Sequence, residues 1–501
     1  MSGSSGASIN FSVLPVTTLR LPGVFFEIDG SRANSGQVNR RALLLGQMTA
    51  AGTAPAGTPV IAAGVGAAQS AFGYGSMLSL MYQWYRKQDP FGEVWFLPFS
   101  PTPPGGTGTN GAISFGGTAT AAGFVPLYVG GTRVPVAVNV GDSANTVAAE
   151  TAAAINDSAA ELPVTVPGYS SGPTVTPVTR WNGPTGADID IRSAYLGVAG
   201  GESLPAGLTL SIIQQSGGGA NPDLAAPLAN LSNRGFDFIA CPFNDTTSLN
   251  EIQAFLNDVS GTWSWESQLY GQFFTAYRGT FGAGAAWGEA RNDRHGCGMP
   301  FYDSPTPPFL WAAQLAGATA TSVRANPAQP LAPIALDVLA PPVPSQFTPS
   351  EMNTLLYDGC STFSVDQSNT VYTNRLVTFY QTNAAGAPDT AFLDVETNYQ
   401  LEAGLQFIII GLQSQFVRRV LVDDGNVVPV GSALVTPSMI LSAANSLYRQ
   451  LCLQGLMQNP DQFAQQSTAE NAGGGQVRLL LPFILANQLR QIDILAQFTK
   501  P

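Results

Sequence analysis

His295 is the one imidazole in a chain of 501 residues, so proton transfer near neutral pH would have to use it. It sits in Asn292-Asp293-Arg294-His295-Gly296, where a Ser–His–Asp hydrolase would need it as the base. No GxSxG turn accompanies it, and a single loop histidine beside Asp and Arg also reads as a structural hydrogen-bonding group. Nucleotide chemistry has no cradle. No segment matches GxxxxGK[ST] or a GxGxxG that opens a helix after a strand, and Gly282-Ala283-Gly284-Ala285-Ala286 is similar only in composition. Asp423-Asp424-Gly425 reads as a turn, because the alternating oxygen ligands of a calcium loop are missing. Cys241, Cys297, Cys360 and Cys452 are scattered without a CxxC pair, which indicates neither a zinc site nor a disulfide framework. They read as lone buried thiols of a reducing compartment. No catalytic residue, cofactor or metal site is expected. Arg418-Arg419 has two readings, compensation of a helix dipole at its C-terminus or an ion-pairing site for an acidic partner surface.

The elements that would position such residues follow from periodicity. Arg40 to Gly46 reads as a short buried strand. Met77, Leu78, Met81, Trp84 and Tyr85 recur at helical spacing between Gly75 and Gln88, and Asp89-Pro90 stops that helix. Val94 to Leu97 reads as a strand, which completes a strand–helix–strand layer. Pro101 to Gly106 and Gly217 to Gly219 read as linkers. Between them come short strands (112–115, 125–129, 133–138, 175–180, 187–192, 208–213) and an Ala-rich helix from Thr146 to Ala154, the pattern of an inserted, protruding β-rich domain. Strands are expected at Phe236–Cys241, Phe273–Tyr277 and Val371–Phe379. Helices are expected at 246–259, Phe309–Ala318, Pro349–Leu356 with Thr348 as N-cap, Thr397–Val420, and Pro437–Met457 with Thr436 as N-cap. Gly473-Gly474-Gly475 reads as a third linker.

The expected fold is mixed α/β and α+β, multidomain, with extended strand-forming arms at both ends. Its parts are an N-terminal arm (1–30), a first part of the core (31–104), the inserted domain (105–220), the main core (221–475) and C-terminal strands (476–501). Such a length supports more than one core. Charged residues are 11% of the chain against 45% hydrophobic, less than half the roughly 25% charge of soluble proteins. A surface of Ser, Thr, Asn, Gln and Gly costs little to desolvate and suits burial against other subunits. A net charge of −12 argues against direct nucleic-acid binding. Nineteen of the 21 basic residues are Arg, Lys87 and Lys500 being the exceptions, and Arg pairs well with interface carboxylates. The strongest apolar run, Leu405 to Leu412, is too short and too polar for a membrane span. The start Met1 to Gly6 lacks the basic and apolar regions of a signal peptide, so synthesis and folding in a cytoplasm are expected.

The two ends carry the strongest pattern. Leu21-Pro22-Gly23-Val24-Phe25-Phe26-Glu27-Ile28-Asp29 reads as a strand ahead of any core segment, with Val24, Phe26 and Ile28 on one face. Val477 to Leu485 and Leu489 to Phe498 read as strands after the last helix, with Leu480, Ile484 and Ile494 as contact residues. A terminal strand must satisfy its N–H and C=O groups somewhere, and adding to the sheet of another copy is one solution. The chain therefore reads as an assembly subunit.

The order of these segments resembles the contractile-tail sheath proteins of Mu-like bacteriophages. The likeness rests on Leu21 to Asp29, on Gly116-Gly117-Thr118-Ala119 through Leu127-Tyr128-Val129-Gly130-Gly131-Thr132-Arg133-Val134 to Asp188-Ile189-Asp190-Ile191-Arg192, on Phe236 to Asp245, and on Gln497-Phe498-Thr499. The resemblance implies a virion structural protein and no enzyme. Its subunits would form stacked six-membered rings around an inner tail tube protein, meet baseplate and tail terminator proteins, and contract to drive the tube through the host envelope. It implies that terminal extensions augment the sheets of neighbouring subunits. It also points to the helix from Pro437 to Met457 or its neighbour, with Arg418, Arg419 and Arg449, as tube-facing. Other readings are the sheath of an R-type bacteriocin or secretion-type injection machine, a hydrolase using His295, and a surface adhesin.

Overall fold

The computed structural model describes residues 40–499. The proposed arm residues Val24, Phe26 and Ile28 lie outside the described residues. The centre is a six-stranded sheet in the order Gly296–Phe301, Gln272–Arg278, Phe238–Ala240, Ala42–Gln47, Val94–Phe99, Val60–Ile61. All neighbours are parallel except the short last strand. Parallel strands are covered on both faces and so read as continuous apolar runs. Ala42–Gln47 has all six residues buried, with Leu43 opposite both Ile239 and Trp95.

Helix Pro308–Ala325 crosses this sheet beside helix Met77–Gln88. Fourteen of its residues are buried and its last turn alone reaches solvent, so most of its length is apolar all round, as an enclosed helix is. Trp311 stacks on Phe301 with ring centroids 4.6 Å apart. The buried Gln314 is satisfied, donating to the Trp84 carbonyl at 2.6 Å and accepting from the Asp337 amide at 2.8 Å. Met77–Gln88 ends where Asp89 accepts from the Tyr85 hydroxyl and pairs with Arg324. Thr348 forms a full capping box with Glu351, and Thr436 caps helix Pro437–Leu453.

Residues 109–217 hold two small sheets. One pairs Ile191–Ser193, Gly123–Val129 and Thr132–Val138. The other is built on Thr109–Gly117 and Leu208–Gly217. The strand expected over 175–180 is two short pieces, Thr174–Val175 and Val178–Thr179. Pro177 has no N–H to continue the ladder, and its carbonyl instead accepts from Gly111 and Gln215. The Pro101–Gly106 and Gly217–Gly219 connectors run side by side. Ala220 N donates to Gly105 O at 3.1 Å, and Gly183 N to Thr107 O at 3.0 Å. Apolar packing continues from this region into the central layer, with Trp181 edge-on to Phe309 at 5.7 Å. Arg192 crosses to Asp303 at 2.9 Å.

Helix Val395–Phe416 joins the central layer to a second cluster. Tyr399 belongs to the main core and Ile408 to the second. The latter is completed by helices Pro437–Leu453 and Pro460–Gln466, where Tyr448 stacks on Phe463 at 3.6 Å. Gly473-Gly474-Gly475 is a hairpin turn between Thr468–Gly473 and Gln476–Leu480 rather than a linker. All three glycines have positive φ, which side-chain-bearing residues adopt at a cost. The C-terminal strand expected through Leu485 stops at Leu480, just ahead of Pro482, and residues 489–498 form no strand. Among the described residues no strand pairs with 489–498, and an extended segment without a partner makes no ladder.

Gly298 tests the packing at the sheet edge. A Cβ there would meet the Phe379 ring at 2.2 Å and the Trp287 ring at 2.5 Å. Gly298→Ala is expected to cost about 1–3 kcal/mol, read as a lowered denaturation midpoint of the purified subunit.

Candidate assembly surface

The one histidine is built into the core. His295 Nδ1 lies 3.1 Å from Asp293 Oδ1, Nε2 lies 3.4 Å from Asp258 Oδ1, and the Trp263 ring is 5.3 Å away. Burial opposes its charge, but hydrogen bonds to Asp258 and Asp293 outweigh burial and raise its pKa. The adjacent Arg294 pairs with Asp258 and lies over the Trp263 and Phe392 rings. The cluster pins the 257–271 loop against the sheet. With both ring nitrogens facing carboxylates, His295 is not poised as a base for a nucleophile.

Cys241, Cys297 and Cys360 are buried, as expected, whereas Cys452 is only half-buried. Burial pushes the Cys241 and Cys297 thiols up to about 12, the opposite of a reactive thiolate. Among the described residues no group of three or more His, Cys, Asp or Glu could hold a metal ion. Among them, too, no helix is long and apolar enough to cross a membrane.

Exposed large apolar side chains occur along the described chain, Phe91 and Val198 among them, and the densest run of them lies at the C-terminal end. The hairpin Thr468–Gly473/Gln476–Leu480 pairs with no further strand among the described residues. Val477 and Leu479 turn inward by half while Leu480 is 63% exposed. Ile484 is held on its own subunit: its N–H donates to the Tyr448 hydroxyl at 3.0 Å, and its carbonyl accepts from Gln458 N at 2.9 Å. Residues 491–499 are all exposed. Within them Ile492, Ile494, Leu495 and Phe498 present bare apolar side chains, Ile494 at 83% exposure. Of the three C-terminal positions expected to make contacts, Leu480 and Ile494 face solvent and half-buried Ile484 is tied to its own subunit through its main chain.

The three arginines divide. Arg418 sits at φ +65° just past the end of helix Val395–Phe416, which stops that helix short of the expected Val420. Arg418 and Arg419 are exposed, and Arg419 donates to the Ser432 carbonyl at 2.9 Å. Arg419 lines an open groove of about 400 Å³ with Phe416, Pro429, Val430, Leu434 and Met439. Arg449 lies ten residues beyond Met439 on the next helix, about 15 Å along its axis, and faces Asp461 at 3.6 Å. Both members of that pair are largely exposed, so it adds little stability. The ion pairs of Arg490 with Asp394 and Glu396 have no local sequence signal, because the partners lie about a hundred residues apart.

Free sheet edges, bare apolar side chains on an extended end, and a histidine locked by carboxylates define a subunit built to associate. Comparison with known proteins gives the family. Residues 217–378 match the family described as phage tail sheath protein central domain. The chain is 33% identical over 487 residues to the Mu-like prophage FluMu tail sheath protein of Haemophilus influenzae, covering 96% of this chain and 98% of that protein. Among solved structures it is similar to the sheath tail protein of Desulfitobacterium hafniense, with a TM-score of 0.47, 12% identity, 93% of this chain and 97% of that one covered. It is also similar to the sheath tail protein of Listeria innocua, with a TM-score of 0.43, 11% identity, 89% and 95% covered. The chain belongs to the phage tail sheath proteins, a structural family and not an enzyme family.

His295 gives a pH test. A raised folded pKa stabilises fully below the unfolded value of about 6.5 and loses that contribution as pH rises through the folded value. The stability advantage of the wild type over His295→Gln should be largest in mild acid and shrink on going alkaline. Thermal unfolding of both proteins from pH 5.5 to 9 measures it, and a constant difference would reject the ion-pairing role.

Proposed function

We propose that this tail sheath subunit polymerises through its termini, as stacked rings around an inner tail tube, and that the polymer contracts to drive the tube through the host envelope. The observation that carries the reading is the pairing of supply and demand at the C-terminal end: an open-edged hairpin and an apolar tail, neither with a strand partner among the described residues. Burying the four tail side chains returns about 6–12 kcal/mol. Ordering nine backbone residues costs at least about 9 kcal/mol. Burial alone leaves the tail near balance, so docking needs main-chain hydrogen bonds as well, and a strand added to an open edge supplies them. Segment 21–29, with Val24, Phe26 and Ile28, is assigned the same role on its alternation.

Residues 105–220 are assigned to the outside of the sheath, and the groove end with Arg418 and Arg419 to the side of the tube. Baseplate and terminator proteins would meet the two ends of the polymer. The assembled location is the virion, after assembly in the host cytoplasm. Contraction draws on a difference in packing between two arrangements of rigid subunits. A gain of about 1 kcal/mol per subunit, the scale of a few buried groups, multiplies along the polymer.

Deletion of 491–501, or of 1–29, should leave a folded subunit that forms no tubes by electron microscopy. Tubes of normal length from either deletion would overturn its assignment as an arm. Reversing charge at Arg418 and Arg419 together should weaken attachment to the co-expressed tube protein and leave sheath–sheath association intact. Unchanged attachment would reject the tube-facing assignment.

A further inference from the structure

The segment before the tail is held by a ladder of alternate residues. Ile484 bonds to Tyr448 and Gln458. The Ala486 carbonyl accepts from Gln400 at 2.9 Å, and Ala486 N donates to the Leu456 carbonyl at 3.2 Å. Gln488 donates to Gln400 at 3.0 Å. Arg490 Nη2 is 3.2 Å from both Asp394 Oδ1 and Glu396 Oε2. Ile484 and Ala486 bond through their main chain and Gln488 and Arg490 through their side chains, while Phe483 and Leu485 pack on the second core and Asn487 and Leu489 face solvent.

The last rung differs in kind. Glu396 is fully buried, its Oε1 accepts from Leu331 N at 2.8 Å, and Arg490 is the cation at its other oxygen. Asp394 is shared with Arg375 at 2.8 Å. The carboxylates sit at the start of helix Val395–Phe416. Every residue from 491 to 499 is exposed, so contact with the body ends at this clamp.

We propose that Arg490 is a positioning residue for assembly: its clamp on Asp394 and Glu396 fixes the point and direction from which residues 491–499 leave the subunit. This rests on the reading of that tail as an inter-subunit arm. Without this last rung the tail would leave the body from residue 488 or, as the shortened ladder frays, from earlier, explore a larger volume and reach a neighbouring edge at lower effective concentration.

The test uses the full chain. Arg490→Met alone strands a buried carboxylate, so the decisive variant is Arg490→Met with Glu396→Gln, which removes both charges. Two readouts are needed: hydrogen exchange of amides 484–490 in the unassembled subunit, and the protein concentration at which tubes appear. The double variant should unfold at close to the wild-type midpoint, exchange those amides about tenfold faster, and need a severalfold higher concentration for tubes. Arg490→Lys should recover part of both. Wild-type protection at 484–490 in the folded double variant would overturn the clamp, and lost protection with unchanged tube formation would overturn its role in assembly. Failure of the arm reading appears separately, as normal tubes from the chain lacking 491–501.

Discussion

Helix Val395–Phe416 is shared by two hydrophobic cores, and the architecture of the C-terminal half depends on that sharing. Its first turns carry Tyr399, which packs on Phe238 of the central sheet at 5.3 Å and donates to the Asp237 carbonyl at 2.9 Å. Further along, Ile408 and the close approach of Gly411 to Leu447 hold helix Pro437–Leu453. Rotation of this helix would disturb both cores, because close-packed interiors yield little. The hairpin, the groove and the exit of the tail therefore have fixed positions on the sheet.

The same helix buries a carboxyl group. Glu402 is fully enclosed, and burial, reinforced by Asp237, holds its pKa well above the usual carboxylate range despite Arg40 at 3.8 Å. Arg324 ties this corner together, donating to the Arg40 carbonyl and pairing with Asp89. Buried ion pairs add little net stability over apolar packing, yet lose much when one partner is removed. Their effect here is to define one arrangement at the corner where Arg40, the first described residue, enters the central sheet.

Much of the fold was legible in the sequence, because its signals are local. Ala42 to Leu45 announces itself as an uninterrupted apolar run, Thr348 and Thr436 stand where caps belong, and Asp89-Pro90 ends a helix on schedule. The errors arose where a partner decides the outcome. Gly473 to Gly475 suits a linker or a hairpin turn equally, and only the pairing of Thr468–Gly473 with Gln476–Leu480 distinguishes them. Residues 489–498 have strand composition but no strand to join among the described residues. Of the candidate site, Leu480 and Ile494 emerged as exposed apolar positions, while Ile484 proved to be an anchor because Tyr448 lies 36 residues away in sequence. Arg449 stands on helix Pro437–Leu453, one helix beyond Arg418 and Arg419, and the axial distance along that helix separates it from the groove that Arg419 lines.

The open hairpin and the bare tail are different surfaces of one chain. In the proposed assembly each subunit gives a strand at one place and takes one at another, which makes the contact heterologous rather than two-fold symmetric. A heterologous contact that does not close on itself gives the polymer a direction, so its two ends are chemically distinct: one end shows unfilled edges, the other unfilled tails. It also contains no instruction to stop. The length of such a sheath is a property of whatever it grows along.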